Sequence, residues 1–327
     1  MKRILVTGAD GLLGSNLVRE LLSRGYQVRA FVQSGRNVNT LDDLVIEKFN
    51  GDILNKKSVA HALQDCQYVI HAAASTSIWP TRNRLVREVN VKGTQNISDC
   101  AMEVRVERMV YVGTANSYGF GTKRNPGNEE NAFVAHKYKL DYLDSKYEAH
   151  KVVIAAVASG LKAIIVNPTF MIGPYDAGPS SGSLIIALCR KKIAGFTGGG
   201  RNYIYVKDVA TAIANALTMG RIGHGYILGN ANLSYEEAFT LIGNTLDVKP
   251  PKRKIPDWVV LLCGHLLTIK ASVTGKPPII SYSMAKIAID DHYFTPKKAI
   301  EELRLPQTPL EVAFREAFEW FKANKYL

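Results

Sequence analysis

Two groups of residues in this 327-residue chain have the types and spacing to do chemistry. The first is a glycine loop, Thr7-Gly8-Ala9-Asp10-Gly11-Leu12-Leu13-Gly14, entered from the apolar run Ile4-Leu5-Val6. Glycines three apart let a backbone turn sharply, admit a phosphate where a Cβ would block it, and let the next helix pack close to a sheet. A helical pattern from Ser15 to Gly25, with Leu17, Val18, Leu21 and Leu22 apolar, follows at once. The free N–H groups at the start of such a helix suit a pyrophosphate. The second group is a tyrosine four residues ahead of a lysine. It occurs as Tyr142/Lys146, Tyr147/Lys151, Tyr203/Lys207 and Tyr293/Lys297. Residues four apart share a helix face. An ammonium beside a phenol of ordinary pKa about 10 favours the phenolate and lets the tyrosine give or take a proton. The first two pairs share one helical stretch. The chemistry implied is proton transfer beside a bound dinucleotide.

The elements that must position these groups alternate. Apolar runs at Ile4–Val6, Gln27–Val32, Tyr68–Ala73, Arg108–Val112 and Ala163–Val166 are separated by helical patterns at Ser15–Ser23, Ser58–Leu63, Asn90–Ala101 and Lys137 to about Ser159. Short, near-continuous apolar strands between helices predict an α/β fold, a doubly wound parallel Rossmann sheet covered on both faces. After Pro168 the texture changes. Gly173 to Gly182 is a loop by composition. A helix near Leu184–Lys192, a Gly198-Gly199-Gly200 cluster and an apolar strand–helix stretch from Tyr203 to Leu217 follow. The tail from Ser234 is broken by Pro250-Pro251, Pro277-Pro278, Pro306 and Pro309. The pattern divides the chain into an NAD(P)-binding domain of residues 1–168 plus about 203–231, and a smaller C-terminal substrate-binding lobe of about 169–202 plus 232–327. The strongly apolar Trp258–Leu267 reads as a helix buried in that lobe, with a membrane interface as the alternative.

Hydrophobic residues make up 46% and charged residues 21%, an ordinary globular balance. The net charge is +12, from 41 basic and 29 acidic residues. The basic residues are scattered and no nucleic-acid motif accompanies them, so they read as solvated surface and no nucleic-acid partner is expected. Cys66, Cys100, Cys189 and Cys263 form no CxxC pair, which fits thiols in a reducing compartment and neither a disulfide frame nor a metal site. The apolar run after Met1-Lys2-Arg3 is too short for a secretory signal, and no run of about eighteen apolar residues is present. A cytoplasmic chain without a transmembrane segment is the expectation.

Eight blocks, in order, resemble those of the extended short-chain dehydrogenases/reductases of the epimerase/dehydratase family. They are TGADGLLG at Thr7–Gly14, GDI at Gly51–Ile53, VIHAAA at Val69–Ala74, NVKGT at Asn90–Thr94, YVGTANSYG at Tyr111–Gly119, YLDSK at Tyr142–Lys146, VNPTFMIGP at Val166–Pro174 and YIYVKDVA at Tyr203–Ala210. The resemblance covers nearly the whole chain. It selects Tyr142/Lys146 over Tyr147/Lys151, because YLDSK is similar to the family's YxxSK form. It implies that Tyr142 is the acid/base, that Lys146 also holds the cofactor ribose, and that the Thr114 hydroxyl orients the substrate oxygen. Thr114 has a plainer reading as a strand-end residue capping the next turn. Asn90 matches an asparagine that lies in a water-mediated proton relay in many members, with a helix N-cap as the alternative. Cofactor contacts are implied at Gly8, Gly11, Leu12, Leu13 and Gly14, at Asp52 and Ile53 beside the adenine, at Ala72, Ala73, Ala74 and Pro168, and at Tyr142 and Lys146. His71 reads as structural. The end of the second strand, Phe31-Val32-Gln33-Ser34-Gly35-Arg36, lacks the carboxylate that binds a ribose 2′-hydroxyl in NAD enzymes. A 2′-phosphate would not be repelled there and Arg36 could bind it, which favours NADP over NAD, although Gln33 departs from the arginine that NADP-preferring relatives often carry at its position.

The same fold hosts several reactions. Dehydratases carry an Asp-Glu pair after the active-site threonine, where this chain has Ala115-Asn116, so elimination of water is discounted. Nucleotide-sugar epimerases hold a diphosphate with an arginine before a strand that Arg201-Asn202-Tyr203-Ile204-Tyr205-Val206 partly matches. The unacidic second strand, the VNPT…GP segment and the Pro-punctuated apolar tail look most like the dihydroflavonol reductases and 3β-hydroxysteroid dehydrogenases. A ketone or aldehyde reductase (or the reverse alcohol dehydrogenase) acting on a small hydrophobic molecule is therefore the first reading, the epimerase with tightly bound NAD the second, and a non-catalytic dinucleotide-binding regulator the third. Candidate substrate contacts are Ser75, Trp79, Tyr175 and Arg201. The resemblance also implies a homodimer formed through the Tyr142 helix.

Overall fold

The computed structural model describes residues 2–327. Its main sheet has seven strands: β1 (Arg3–Thr7), β2 (Gln27–Val32), β3 (Glu47–Asn50), β4 (Tyr68–His71), β5 (Arg108–Val112), β6 (Ala163–Pro168) and β9 (Gly225–Leu228). They lie in the order β3-β2-β1-β4-β5-β6-β9, and every pairing is parallel. The chain leaves β1 for β2 on one side and later returns to β4 on the other. The order therefore reverses at β1/β4, the place where such sheets open a crevice at their carboxyl ends. The glycine loop leaves β1 at that point.

Side chains alternate across this sheet, as the two-residue period of a strand requires. Ile4, Val6, Ala30, Ile70, Val110 and Val166 pack under Leu17, Val18 and Leu21 of α1 (Leu12–Ser23) and Val209 and Ile213 of α7 (Val206–Asn215). Leu5, Phe31, Val69, Met109, Tyr111 and Ile165 pack under Val59 of α2 (Lys56–Ala62), Ile97 and Cys100 of α4 (Gly93–Glu103) and Val153 of α5 (Asp141–Ala158). Both faces are dry, which explains why these strands read as apolar runs rather than alternating ones. Just before α4 come a short helix, α3 (Arg84–Arg87), and a π-helical stretch, Glu88–Lys92.

A smaller sheet is centred on β8 (Gly200–Tyr205). Its partners are β10 (Ala231–Ser234), antiparallel, and β7 (Phe170–Ile172) and β11 (Asp291–His292), both parallel. The boundary expected near residue 203 therefore falls inside β8. Around it stand α6 (Ser183–Cys189), α8 (Tyr235–Leu246), α9 (Asp257–Thr274), α10 (Tyr282–Ile289), α11 (Lys297–Leu303) and α12 (Leu310–Ala323).

Three local expectations change. Strand β3 carries one large apolar residue, Phe49, in four; as an edge strand it lacked the apolar signal that marked the others. The helix expected from Lys137 starts at Asp141, because a 3-10 turn at Ala135–Tyr138 ends on Lys139 in the left-handed conformation (φ 52°). The Trp258–Leu267 segment is helical but not buried. In α9 only Val260, Gly264 and Ala271 are covered, while Trp258 is 68% and Val273 82% exposed, with Leu262, Leu266 and Ile269 about half exposed. A Cβ on Gly264 would come within 2.7 Å of the Ala285 Cβ, so a narrow seam of small residues seats α9 on α10 and leaves its bulky side chains outside.

Candidate active site

Each glycine of the loop has its own physical duty. Gly8 has φ 69°, and a Cβ there would fall 2.7 Å from the Ala73 backbone nitrogen, which locks the loop against the exit of β4. A Cβ on Gly14 would lie 2.0 Å from the Gly8 carbonyl oxygen, so this glycine lets α1 sit over the loop. At Gly11 the nearest atom is 3.6 Å away. That open position is the N-cap of α1, and no side chain caps the helix there. Leu12, half-buried, and Leu13, buried, open α1, so the loop presents an uncapped helix N-terminus with room for an anion. These residues fit a dinucleotide pyrophosphate. Around the loop, Ala72, Ala73 and Ala74 are half-buried and Pro168 is buried at the end of β6. Ile53 is buried against Gly93, and exposed Asp52 accepts from the Leu54 N–H at 2.9 Å. Gln33 and Arg36 are exposed beyond β2, and the Arg36 Nε lies 3.5 Å from Asp10 Oδ2 in the loop itself.

Lys146 is buried, and its Nζ donates to the Val112 carbonyl at 2.7 Å, which carries the lysine to the carboxyl end of β5. Burial pulls its pKa down to about 7. Burial also raises the Tyr142 phenol above its ordinary value. The expected lowering of the phenol by Lys146 is thus absent from the protein alone: burial disfavours the charged form of each group. The competing pairs are arranged differently. Tyr147 stacks on Phe133 at 4.2 Å and Lys151 is exposed. Tyr203 is buried in the small sheet while Lys207 is exposed and paired with Glu316. Tyr293 is buried and Lys297 exposed.

Asn90 is not an N-cap. It lies inside the helical run, in the π-helical stretch, and the cap of α3 is Asn83. Its Oδ1 accepts from the Ser75 N–H at 2.8 Å, and its Nδ2 donates to the Ser75 carbonyl at 3.1 Å and to Ser145 Oγ at 2.9 Å. Asn90 therefore pins Ser75 to the turn of α5 that carries Tyr142 and Lys146. Thr114 lies two residues beyond the end of β5, after Gly113, and is 9% exposed; its Oγ1 accepts weakly from the Asn116 N–H at 3.4 Å, so it also caps the turn after β5. His71 is held between Thr7 Oγ1, 2.8 Å from its Nδ1, and Thr94 Oγ1, 3.1 Å from its Nε2.

Trp79 and Arg201, far apart in sequence, line one cavity of about 230 Å³ with Ile78, Ile279, Ile280 and Met284. Arg201 Nε donates to Tyr235 Oη at 2.7 Å, and its guanidinium lies over the Phe170 ring. Tyr175 does not join them: it packs under Arg19 of α1 and beside Trp320 of α12. The sequence also held no sign of a partly buried polar cluster next to Thr114. Tyr138 Oη donates to Asp290 Oδ2 at 2.5 Å and lies 3.1 Å from His292 Nε2, while His292 Nδ1 lies 2.9 Å from Asn116 Oδ1. Asn116 was visible in the sequence only as the residue replacing a dehydratase acid.

Comparison with known proteins decides the family. The model of the NAD dependent epimerase/dehydratase family matches residues 4–229. The chain belongs to that family. The chain is an enzyme of the NAD(P)-dependent reductase/dehydrogenase class, of the extended short-chain type. A protein of Synechocystis sp., provisionally named a dihydroflavonol 4-reductase, is 32% identical over 98% of this chain and 95% of its own length. Sterol demethylase protein B of Methylococcus capsulatus is 28% identical over 97% of this chain and 98% of its own. The crystal structure of gox2253 superposes with a TM-score of 0.87 at 28% identity, covering both chains fully. The family assignment agrees with the doubly wound sheet and the loop geometry.

Within this family frame, burial of Lys146 has a measurable thermodynamic signature. A lysine held near 7 when folded and near its ordinary value when unfolded costs stability wherever the unfolded chain binds the extra proton. That cost grows as pH falls from about 10.5 toward 7 and levels off below, at a few kcal/mol in order of magnitude. Lys146→Met is expected to raise Tm by several degrees at pH 6.5 and by much less at pH 10, while turnover is lost. Thermal scans at both pH values check this; a gap that does not narrow at pH 10 contradicts it.

Proposed function

We propose that the chain is an NADP-dependent oxidoreductase that interconverts a ketone or aldehyde and its alcohol on a hydrophobic small molecule. The observation that carries this is the continuity of the site. Asn90 holds Ser75 beside the Tyr142/Lys146 turn, and four residues further on Trp79 enters a cavity whose other walls include Ile78, Ile279, Ile280 and Met284, with the Arg201 guanidinium as its one charged group. Such a cavity suits an apolar ligand with one polar end. The reductase and sterol demethylase names of the two relatives support the same class. In the reducing direction Tyr142 gives its proton to the carbonyl oxygen, which the Thr114 hydroxyl holds in place. Lys146 holds the ribose and, when cationic, favours the phenolate that remains. Asn90 fixes Ser75 and the catalytic turn. A nicotinamide held by the glycine loop and Lys146 would supply or accept the hydride.

Arg201 supports a second reading, a nucleotide-sugar epimerase with tightly bound NAD, because its guanidinium lines the same cavity and could take a diphosphate. Calorimetric titration with NADP and NAD, then a screen of hydrophobic ketones with the reduced form of the tighter cofactor, separates the two. Tighter NADP binding with net NADPH consumption is expected, and Arg36→Ala is expected to weaken NADP about tenfold while barely changing NAD. Tighter NAD binding without net consumption would replace the first reading by the second.

The two-lobe division, a cytoplasmic site of action and a homodimer belong to the same proposal. The four thiols are unpaired. The α5 surface that would face a second copy carries ion pairs from Arg82 to Asp141 and Asp144 and from Arg87 to Glu148.

A further inference from the structure

Helix α9 is an apolar rod with almost nothing on its outer side. Trp258, Leu262, Leu266, Ile269 and Val273 follow one another in steps of three or four residues, which places them in one stripe. The opposite side carries the buried Val260, Gly264 and Ala271, and at Gly264 it packs against Ala285 of α10. Ile279, in the connection to α10, is 97% exposed and extends the apolar surface to the cavity it helps to line. Among the described residues no other helix is long and apolar enough to cross a membrane. This one cannot span a bilayer while one side is packed on α10, and Lys270 interrupts it near its end.

The charges around the stripe narrow what could cover it. From 249 to 276 the basic residues are Lys249, Lys252, Arg253, Lys254, Lys270 and Lys276, against one carboxylate, Asp257. All six are exposed, and among the described residues none is in an ion pair. They stand at both ends of the rod. A second copy docked by a two-fold axis would bring its own six cations against these, in either direction of the helix. An anionic bilayer surface meets both features at once, with lipid chains for the stripe and headgroup phosphates for the ends.

We propose that α9 lies in the plane of an anionic membrane surface as a monotopic anchor. The stripe sinks among the acyl chains, the flanking lysines and arginine contact the headgroups, and the cavity of Trp79, Ile279 and Ile280 is brought to the lipid boundary. That last clause rests on the hydrophobic-substrate reading above, and it lets a lipid-dissolved substrate enter without crossing water. The docking itself does not depend on it.

Flotation of the full chain with phosphatidylcholine vesicles, and with vesicles half phosphatidylglycerol, tests the docking. At 50 mM salt at least tenfold more protein is expected to float with the anionic vesicles than with the neutral ones, and most of it is expected to detach at 500 mM. Leu262→Glu/Leu266→Glu/Ile269→Glu is expected to stay at the bottom of the gradient with an unchanged Tm, since these side chains are exposed. Lys252→Glu/Arg253→Glu/Lys254→Glu is expected to lose the preference for anionic lipid. Absence of wild-type flotation with either vesicle overturns the proposal. So does a fall in oligomer mass in the triple glutamate variant, which would assign the stripe to a second copy. Dinucleotide affinity and NADPH consumption without vesicles, measured on the same variants, keep the two proposals apart: they test the oxidoreductase reading whether or not the protein floats.

Discussion

Tyr142→Phe is expected to lower kcat by about 10² to 10⁴-fold, the usual contribution of a positioned proton donor. Removal of the hydroxyl leaves the ring in the same partly buried place on α5, and none of the glycine-loop contacts involve it. Dinucleotide affinity should therefore change less than about threefold, which is under 1 kcal/mol. The split between the two readouts is the point: a variant that merely misfolds would lose both. Tyr147→Phe is the control. Its ring stacks on Phe133 at the surface, so full activity is expected. Should Tyr142→Phe turn over at more than half the wild-type rate while Tyr147→Phe fails, the proton donor is the other tyrosine of the helix.

The loop glycines give a second large effect, because two of them fail in different ways. At Gly14 a methyl group would sit 2.0 Å from the Gly8 oxygen and 2.6 Å from the Ala9 Cα, both backbone atoms that cannot step aside. Gly14→Ala must push α1 away from the sheet, so dinucleotide affinity should fall at least a hundredfold and Tm should fall with it. At Gly11 the nearest atom is 3.6 Å away, an ordinary contact, and φ is not positive. Gly11→Ala should keep the wild-type Tm and still lose at least tenfold in affinity, because the methyl would crowd the open, uncapped start of α1 that suits a phosphate. Calorimetry and thermal scans on the pair check both. Unchanged affinity in Gly11→Ala would remove the pyrophosphate from that end of α1.

The parts of the molecule that were legible in the sequence share one property: their signal is local. Five strands of the main sheet announced themselves as apolar runs because both faces are buried, and the glycine loop because strand, turn and helix follow within a few residues. Strand β3 did not, since at a sheet edge Glu47 and Lys48 are free to face water. Asn90 was recognised by type, but only the fold shows that it clamps a backbone segment fifteen residues away. Trp79 and Arg201 meet across 122 positions, and Asn116 meets His292 across 176; no spacing rule reaches that far. Tyr175 illustrates the converse. A loop aromatic looked available for substrate and is instead occupied by Arg19 and Trp320. The error at α9 was one of context: an apolar helix is buried only if enough neighbours exist to bury it, and α10 alone is too narrow.

The bridge through His71 has a direction. Ala73 N–H donates to Thr7 Oγ1 at 3.1 Å, and Thr94 Oγ1 donates to the Asn90 carbonyl at 2.6 Å. The Thr94 proton is thereby spent, so its oxygen receives from His71 Nε2, and Nδ1 is left to receive from the Thr7 hydroxyl. Burial holds the imidazole pKa down at about 3, so no second ring proton disturbs the order across any ordinary assay pH. Every proton in the line has one owner, and both ends close on backbone groups. The line is consequently a strut and not a wire: it ties the dinucleotide loop to the segment that carries Asn90, but it can pass no proton. In the proposed reaction, the proton that Tyr142 gives up would be replaced from another side.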